Sequence, residues 1–444
     1  MNEESLMRSR IRRILMICSN YDAFTLEADG RIESQIVSEY RELNLSNPPT
    51  FIWANSSEEA GEILKADQEI DMIICMYNDR DKDVFSFASR LRREGSKIPF
   101  IMLIHYSKSV RQRIFENDRS GIDFVFSWLG NADLILAIVK LIEDSANAEN
   151  DVFDVGVRVI LLVEDSVRYY STYLPELYKL LITQSREFLT ESLNDDQKKY
   201  RKRSRPKILL ATNYEDALSY FERYKENLMG VISDVGMVIH KGDSNKSEKL
   251  DAGLDLVRII KKYDPLMPVL LQSSQGSIAK VAGELGVGFL KKFSRTLFMQ
   301  LGDYMKEEFG FGDFVFRDAD GAECGRASSL TELEDIIGDI PDEVLVSNTS
   351  RNMFSKWLYA RGLFNLAETF KAEHHTDAKE FRSFLMEQIG RYHQMIGQGV
   401  IADFKEDSYQ DYFWFSRVGE GSLGGKARGL AFLNHLITKY SLPD

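Results

Sequence analysis

Four short apolar runs in the middle of the sequence each end on side chains capable of chemistry. Val159–Val163 runs into Glu164 and Asp165, Val231–Ser233 into Asp234, Val269–Gln272 into Ser273, and Phe289–Leu290 into Lys291 and Lys292. Runs of this length that are rich in Val, Ile and Leu are the signature of buried parallel strands, and ligands of such sheets bind where the strands end. Glu164, Asp165, Asp234, Ser273 and Lys292 are therefore expected to converge. Crowded carboxylates repel one another and resist full ionisation unless a cation sits among them, so a magnesium ion held by Glu164, Asp165 and Asp234 is the expected occupant. Asp234 would then be the nucleophile toward phosphorus, with Lys292 holding phosphoryl oxygens and Ser273 donating a hydrogen bond to the product.

These residue types, in this order, resemble the receiver domain of two-component response regulators. The resemblance implies that the acidic pair Glu164 and Asp165 ends the first strand, the phosphoacceptor Asp234 the third, Ser273 the fourth and Lys292 the fifth. It makes Phe289 the switch aromatic that moves with Ser273. It implies a sensor histidine kinase or a phosphotransfer protein as phosphodonor. Two positions depart from the family: Val238 and Phe293 stand where prolines that shape loops are usual.

To bring such residues to one edge the chain needs strands alternating with helices, and the same pattern occurs twice. Arg13–Ser19 parallels Val159–Asp165, Ala54–Ala60 parallels Ala211–Ala217, Pro99–Ile104 parallels Pro268–Ser273, and Gly121–Ser127 parallels Gly286–Lys292. Ser56 precedes Glu59 and Asn213 precedes Asp216 by three residues, which reads as a helix start after the second strand of each repeat. The expected fold class is α/β: tandem flavodoxin-like (receiver) doubly wound parallel sheets followed by a mainly helical connector. The first repeat lacks the chemistry, with Cys18 and Ser19 for the acidic pair, Met76 for the acceptor, Ile104 for the hydroxyl and Ser127 for the lysine. It reads as a degenerate pseudo-receiver that packs or docks. Asp79, Asp81 and Asp83 read as a solvated acidic loop, and His105 as a surface histidine.

With 444 residues, roughly three domains are expected at ~100–200 residues each. A net charge of −13 argues against a dedicated nucleic-acid or anionic-membrane surface. No apolar run approaches the ~20 residues that span a bilayer and no signal segment opens the chain, so a cytoplasmic location is expected. Cys18, Cys75 and Cys324 are widely separated and read as free thiols. The expected domains are residues 1–148, the pseudo-receiver; 155–309, the receiver; 310–408, a hairpin and helical connector; and 409–444, the start of a further domain. Ser145–Asp154 reads as a polar linker. The basic run Lys198–Arg205 reads as a solvated helix end or a partner for carboxylates, and His240–Gly253 as a mobile loop beside the acceptor.

After Gly310 an Asp-Gly hairpin is expected, followed by helices over Ser329–Ile337, Asp342–Phe370 with a weak middle, and Asp377–Gly397. Arg351 and Arg361 are candidates for acidic partners, and His374 with His375 reads as a polar break. Near the end, Gly424, Gly425 and Lys426 precede an amphipathic segment, a pattern suited to cradling a phosphate. The stretch Leu423–Leu433 resembles the opening of the nucleotide-binding domain of phosphoenolpyruvate synthase and pyruvate phosphate dikinase. That resemblance implies ATP as a cofactor of a domain cut short here, and a receiver that controls its own downstream kinase domain. The favoured expectation is a signal-receiving region phosphorylated on Asp234, with magnesium as cofactor, no nucleic-acid or membrane partner, and a homodimer allowed. Two alternatives stay open: an ATP-dependent phosphotransferase with the receivers as scaffold, and an interaction platform that is never phosphorylated.

Overall fold

Strand formation follows the apolar runs. In a computed structural model, β1 (Arg13–Ile17), β2 (Thr50–Ala54), β3 (Met72–Met76), β4 (Phe100–Ile104) and β5 (Phe124–Ser127) form a parallel sheet in the order β2-β1-β3-β4-β5. A second parallel sheet repeats it with β6 (Val159–Val163), β7 (Lys207–Ala211), β8 (Leu228–Asp234), β9 (Val269–Ser273) and β10 (Gly288–Lys291), ordered β7-β6-β8-β9-β10. This is the flavodoxin-like order, first strand second from the edge, in both repeats. The structure describes residues 6–440 apart from 29–31, 44, 46, 68, 79–82, 106, 108–109, 111–113, 115–116, 129, 131, 193–194, 242–247, 373–376, 398–400, 405–414, 420 and 422. The expectations for Asp79, Asp81, His374 and His375 lie outside the described residues.

The described chain divides into two compact units, Glu4–Thr183 with Pro206–Gly302, and Gln184–Arg205 with Asp303–Asp444. The first unit holds both sheets. Helix starts fall where the Ser56 and Asn213 signals place them: Ser56 Oγ accepts the Glu59 amide at 3.2 Å, and Asn213 Oδ1 accepts the Asp216 amide at 2.8 Å. The strands β3, β4, β6, β9 and even the edge strand β7 are buried along their whole length, as helix cover requires.

The expected linker is not a linker. Ser145–Asp154 continues a single helix, Asp133–Val155, which ends at Gly156 in the left-handed conformation (φ 87°). Asn147 and Asp151 in this stretch, and Asp144 just before it, are buried because each has a backbone or side-chain partner. Asp144 accepts the Ile208 amide at 3.0 Å and the Tyr178 hydroxyl at 2.9 Å. Asp151 meets the Lys207 ammonium at 2.8 Å, with both side chains fully buried. On the same helix Glu143, Asn147 and Asp151 accept the amides of Ile11, Ser9 and Met7. The match is geometric: two residues of extended chain advance ~6.6 Å and four residues of helix ~6.0 Å, so a strand and a helix can pair side by side at that interval.

The two repeats thereby cover each other's sheet edges. The Asp144 side chain satisfies an amide of edge strand β7. In return the helix Val167–Glu187 of the second repeat serves edge strand β5, where Ser171 Oγ accepts the Ser127 amide at 2.8 Å and the Tyr170 hydroxyl donates to the Val125 carbonyl. Unpaired edge amides invite other strands, so this reciprocal cover closes both edges without a ladder.

The second unit pairs β11 (Phe314–Arg317) with β12 (Glu323–Ala327) as an antiparallel hairpin. The expected long helix over Asp342–Phe370 is three helices, Asp342–Ser350, Met353–Ala360 and Phe364–Ala372, broken where Asn352 (φ 54°) and Gly362 (φ 73°) turn left-handed. Phe354 stacks on Phe314 with centroids 4.6 Å apart, and Trp357 meets Phe314 edge-on at 5.8 Å. Arg361 is buried, donates to the carbonyls of Gly310, Gly312 and Ser328 and stacks 3.7 Å over Trp357. The basic run is likewise structural, lying at the end of the helix Asp195–Arg203 with Arg201 donating to the Phe188 carbonyl and Ser204 and Arg205 buried. The strands β13 (Ile401–Asp403) and β14 (Phe415–Arg417) pair in parallel, and the helix Gly425–Tyr440 follows. No helix among the described residues is long and apolar enough to cross a membrane.

The buried Asp151–Lys207 pair yields a test. Removing one member leaves a buried charge without its partner, so Asp151→Ala should cost about 3–5 kcal/mol in urea unfolding. Asp151→Leu combined with Lys207→Met should recover most of that loss; a single variant as stable as the native chain would remove the pair from the account of how the repeats are joined.

Candidate metal and phosphoryl site

The five strands of the second sheet run parallel, so their C-terminal ends share one edge. Glu164 and Asp165 follow β6, Asp234 ends β8, Ser273 ends β9 and Lys292 follows β10. The sheet thus gathers the three carboxylates: Glu164, Asp165 and Asp234 each offer an oxygen, all within 4.8 Å of one another. Lys292 lies against two of them, its ammonium 2.7 Å from Glu164 Oε2 and 2.5 Å from Asp234 Oδ2. Its backbone amide is fixed to the Ser273 carbonyl at 2.9 Å, which seats the ammonium through strand pairing as well as charge.

Each carboxylate is also held from behind. Glu164 Oε1 accepts the Ser166 amide at 3.1 Å, Asp165 Oδ2 the Val238 amide at 3.1 Å, and Asp234 Oδ1 the Val235 amide at 2.7 Å. Ser273 Oγ accepts the Gln275 amide at 3.2 Å and is mostly buried. Phe289 is half-buried against the core of this repeat, in register with Leu271 two residues before Ser273.

The electrostatics describe a site short of positive charge. Burial pushes Glu164 up to about 8, the charge of Asp234 adds to the rise, and Lys292 opposes it. Burial also lifts Asp165 to about 6 against the hydrogen bond from Val238, with Asp234 and Glu248 contributing. For Lys292 burial disfavours the ammonium, but Glu164 and Asp234 together outweigh it and its pKa is raised. Three acids and one ammonium fit a small divalent cation with oxygen ligands: the donor set is hard, and the raised pKa values of Glu164 and Asp165 mean that a cation would compete there with protons.

Three further residues belong to the site. Glu248 comes from the insert after β8; a side chain at Gly236 would put its Cβ 2.4 Å from Glu248 Oε1, so the glycine makes room for that carboxylate. The insert end is pinned there by the antiparallel bridge of Met237 with Lys249. Tyr169 places its ring 4.2 Å from the Lys292 ammonium and meets Phe293 edge-on at 5.3 Å. Phe293 is largely exposed and left-handed, with φ 69°. A proline, fixed near φ −65°, cannot take that conformation, which accounts for the departure from the receiver pattern at this position. No sequence spacing marks Glu248 or Tyr169; only the fold carries them to the edge. Gly253 is a close approach of another kind, since a Cβ there would lie 2.0 Å from the Asp234 carbonyl oxygen.

At the same edge of the first repeat the corresponding residues are apolar or hydroxylic. Cys18, Met76 and Ile104 are buried and apolar, Ser127 is fully buried, and Ser19 hydrogen-bonds Asp22 at 2.6 Å. His105 is exposed at the end of β4. Gly424, Gly425 and Lys426 belong to the second unit, where all three are exposed at the start of the helix Gly425–Tyr440. The three cysteines are free thiols, Cys18 and Cys75 buried and Cys324 exposed.

The chain matches no protein-family model and no curated protein. Among solved structures it is similar to a "probable two-component system response regulator/GGDEF domain protein", with 14% identity and a TM-score of 0.28 over 66% of this chain and 98% of that one. A second response regulator/GGDEF domain protein gives 13% identity and 0.27 over 66% and 98%. A glucose-galactose binding protein from Geobacillus stearothermophilus gives 10% and 0.18 over 63% and 84%.

Proposed function

We propose that the second repeat is a magnesium-dependent receiver that accepts a phosphoryl group on Asp234. The observation that carries this reading is the meeting of Glu164, Asp165 and Asp234 within 4.8 Å of one another, with Lys292 inserted between Glu164 and Asp234. Glu164, Asp165 and Asp234 would hold the cation, which when bound neutralises charge on the incoming phosphoryl group. An Asp234 oxygen forms the new bond to phosphorus as the bond to the donor breaks. The donor is proposed to be a phosphohistidine of a sensor kinase or phosphotransfer protein, whose imidazole leaves with the electron pair and takes up a proton. The Lys292 ammonium, kept charged by its two carboxylates, faces the negative oxygens. Ser273 gives up its contact with the Gln275 amide to hydrogen-bond the product, and Phe289 follows it inward.

The regulated target is proposed to be a phosphoenolpyruvate synthase-like domain beginning near Gly424–Lys426, with ATP as its cofactor. What supports this is the sequence Leu423–Leu433 and an exposed helix start with Lys426 in its first turn.

Acetyl phosphate with magnesium should label the native chain, and Asp234→Ala should reduce the label to background on a phosphate-affinity gel. Equal labelling of the variant would sink the assignment. With beryllium fluoride and magnesium as the phosphoryl mimic, hydrogen exchange should change over Ser273–Phe293; protection limited to the segment after Asp234 would separate acceptance from switching.

A pH dependence follows from the raised carboxylates. Glu164 and Asp165 bind protons more tightly folded than unfolded, so the stability they contribute is fully present below their ordinary values of 4.5 and 3.8 and is lost as pH rises through about 6 and then about 8. Magnesium replaces those protons, so the rise in Tm it produces should be small at about pH 5.5 and large at about pH 8.5. A shift independent of pH would place the cation elsewhere.

A further inference from the structure

At the opposite end of the first sheet, ahead of β1, the sequence alternates arginine with other residues: Arg8, Arg10 and Arg12. The segment lies outside any helix or ladder, Met7 at its start being left-handed (φ 51°), and one of its edges is already used. The amides of Met7, Ser9 and Ile11 are held by Asp151, Asn147 and Glu143 of the helix Asp133–Val155, and Asn147 also donates to the Ser9 carbonyl at 2.7 Å. In extended chain successive amides point to opposite edges, so Arg8 and Arg10 present theirs to the other side. Among the described residues nothing bonds the backbone of either.

That open edge borders a cleft of about 620 Å³ lined by Arg8, Arg10, Arg12 and Lys97 together with Asp71 and Glu143. The carboxylates in it are occupied. Asp71 accepts the amides of Arg12 and Arg13 at 2.7 and 3.0 Å, and Glu143 takes the Ile11 amide and the Lys140 ammonium. The side chains of Arg8, Arg10, Arg12 and Lys97 make no ion pair or hydrogen bond among the described residues. In a chain of net charge −13, a row of four unpaired cations beside a free strand edge is a local reversal of charge.

We infer that this edge binds an extended acidic segment of a partner protein, which adds as a strand beside Arg8–Arg12. Two features select this occupant. The free amides of Arg8 and Arg10 supply main-chain hydrogen bonds, which a strand uses and a folded surface does not. The arginines repeat every second residue, ~6.6 Å apart, which is the spacing of acidic side chains at alternate positions of a facing strand. The site lies at the end of the sheet away from the strand termini that carry chemistry in the second repeat, and the inference does not depend on phosphorylation of Asp234.

The test uses the full chain and a fluorescent synthetic peptide with glutamate at every second position. Controls are a peptide of the same composition with its glutamates contiguous, and a single-stranded DNA of equal charge. The alternating peptide should bind saturably and more weakly as salt is raised. Arg10→Ser should weaken it about tenfold by removing one charge while keeping the amide. Arg10→Pro, which also removes the amide but leaves the bonds of Met7, Ser9 and Ile11 intact, should abolish it. An unchanged Tm in both variants and unchanged labelling of Asp234 by acetyl phosphate show that the fold is retained. Equal binding of the two peptides, equal loss in the serine and proline variants, tighter binding of the DNA, or no saturable binding at all overturns the proposal.

Discussion

A sheet edge that concentrates three carboxylates stays folded only if positive charge shares it, and here that charge is the Lys292 ammonium. Its place is over-determined: strand pairing fixes its backbone to Ser273, Glu164 and Asp234 hold its nitrogen, and the Tyr169 ring covers it. One ammonium against three acids still leaves a deficit, which burial turns into raised pKa values for Glu164 and Asp165 rather than into unfolding. The deficit is also what makes the site responsive. A fully neutralised cluster would gain little from a cation, whereas at the proposed site a cation would compete with protons on the raised carboxylates.

How much of this could be read from the sequence depended on whether a residue's role was local. The strands were legible because two-sided burial demands continuous apolar runs, and the site residues because a parallel sheet must deliver strand ends to one edge. The helix caps at Ser56 and Asn213 were legible for the same local reason. The helix through Ser145–Asp154 was not, because Asn147 and Asp151 look solvated until the partners that bury them, Ser9, Met7 and Lys207, are brought from distant parts of the chain. Gly156, left-handed just past the helix end, was the one local signal that the helix continues to that point. Glu248 and Tyr169 likewise become part of the site only through tertiary contact. Arg361 was read as a candidate for an acidic partner, and only the fold shows that three converging carbonyl oxygens serve its buried guanidinium.

The different residues at the same edge of the first repeat have a structural counterpart. Ser127 occupies the position of Lys292, and its amide is taken by Ser171 of the second repeat while its side chain is fully buried. A lysine there would have to bury its ammonium with Cys18, Met76 and Ile104 in place of the acids that hold Lys292. The edge that gathers carboxylates and a lysine in one repeat carries apolar and small residues in the other, where the helix Val167–Glu187 covers β5.

Attachment then shapes the other end of the same sheet. The helix that joins the repeats carries a polar face at four-residue intervals, and that face can be buried only if extended chain runs along it at two-residue intervals. Met7–Ile11 meets this demand, and in doing so it commits the odd-numbered amides to the helix and turns the even-numbered ones outward. The arginines fall on the even positions. A charge pattern that looks like ordinary surface composition is therefore in register with an unused backbone edge, and the register is imposed by the buried contacts on the opposite side. The helix that holds the two repeats together is thus also what leaves a backbone edge open ahead of the first sheet.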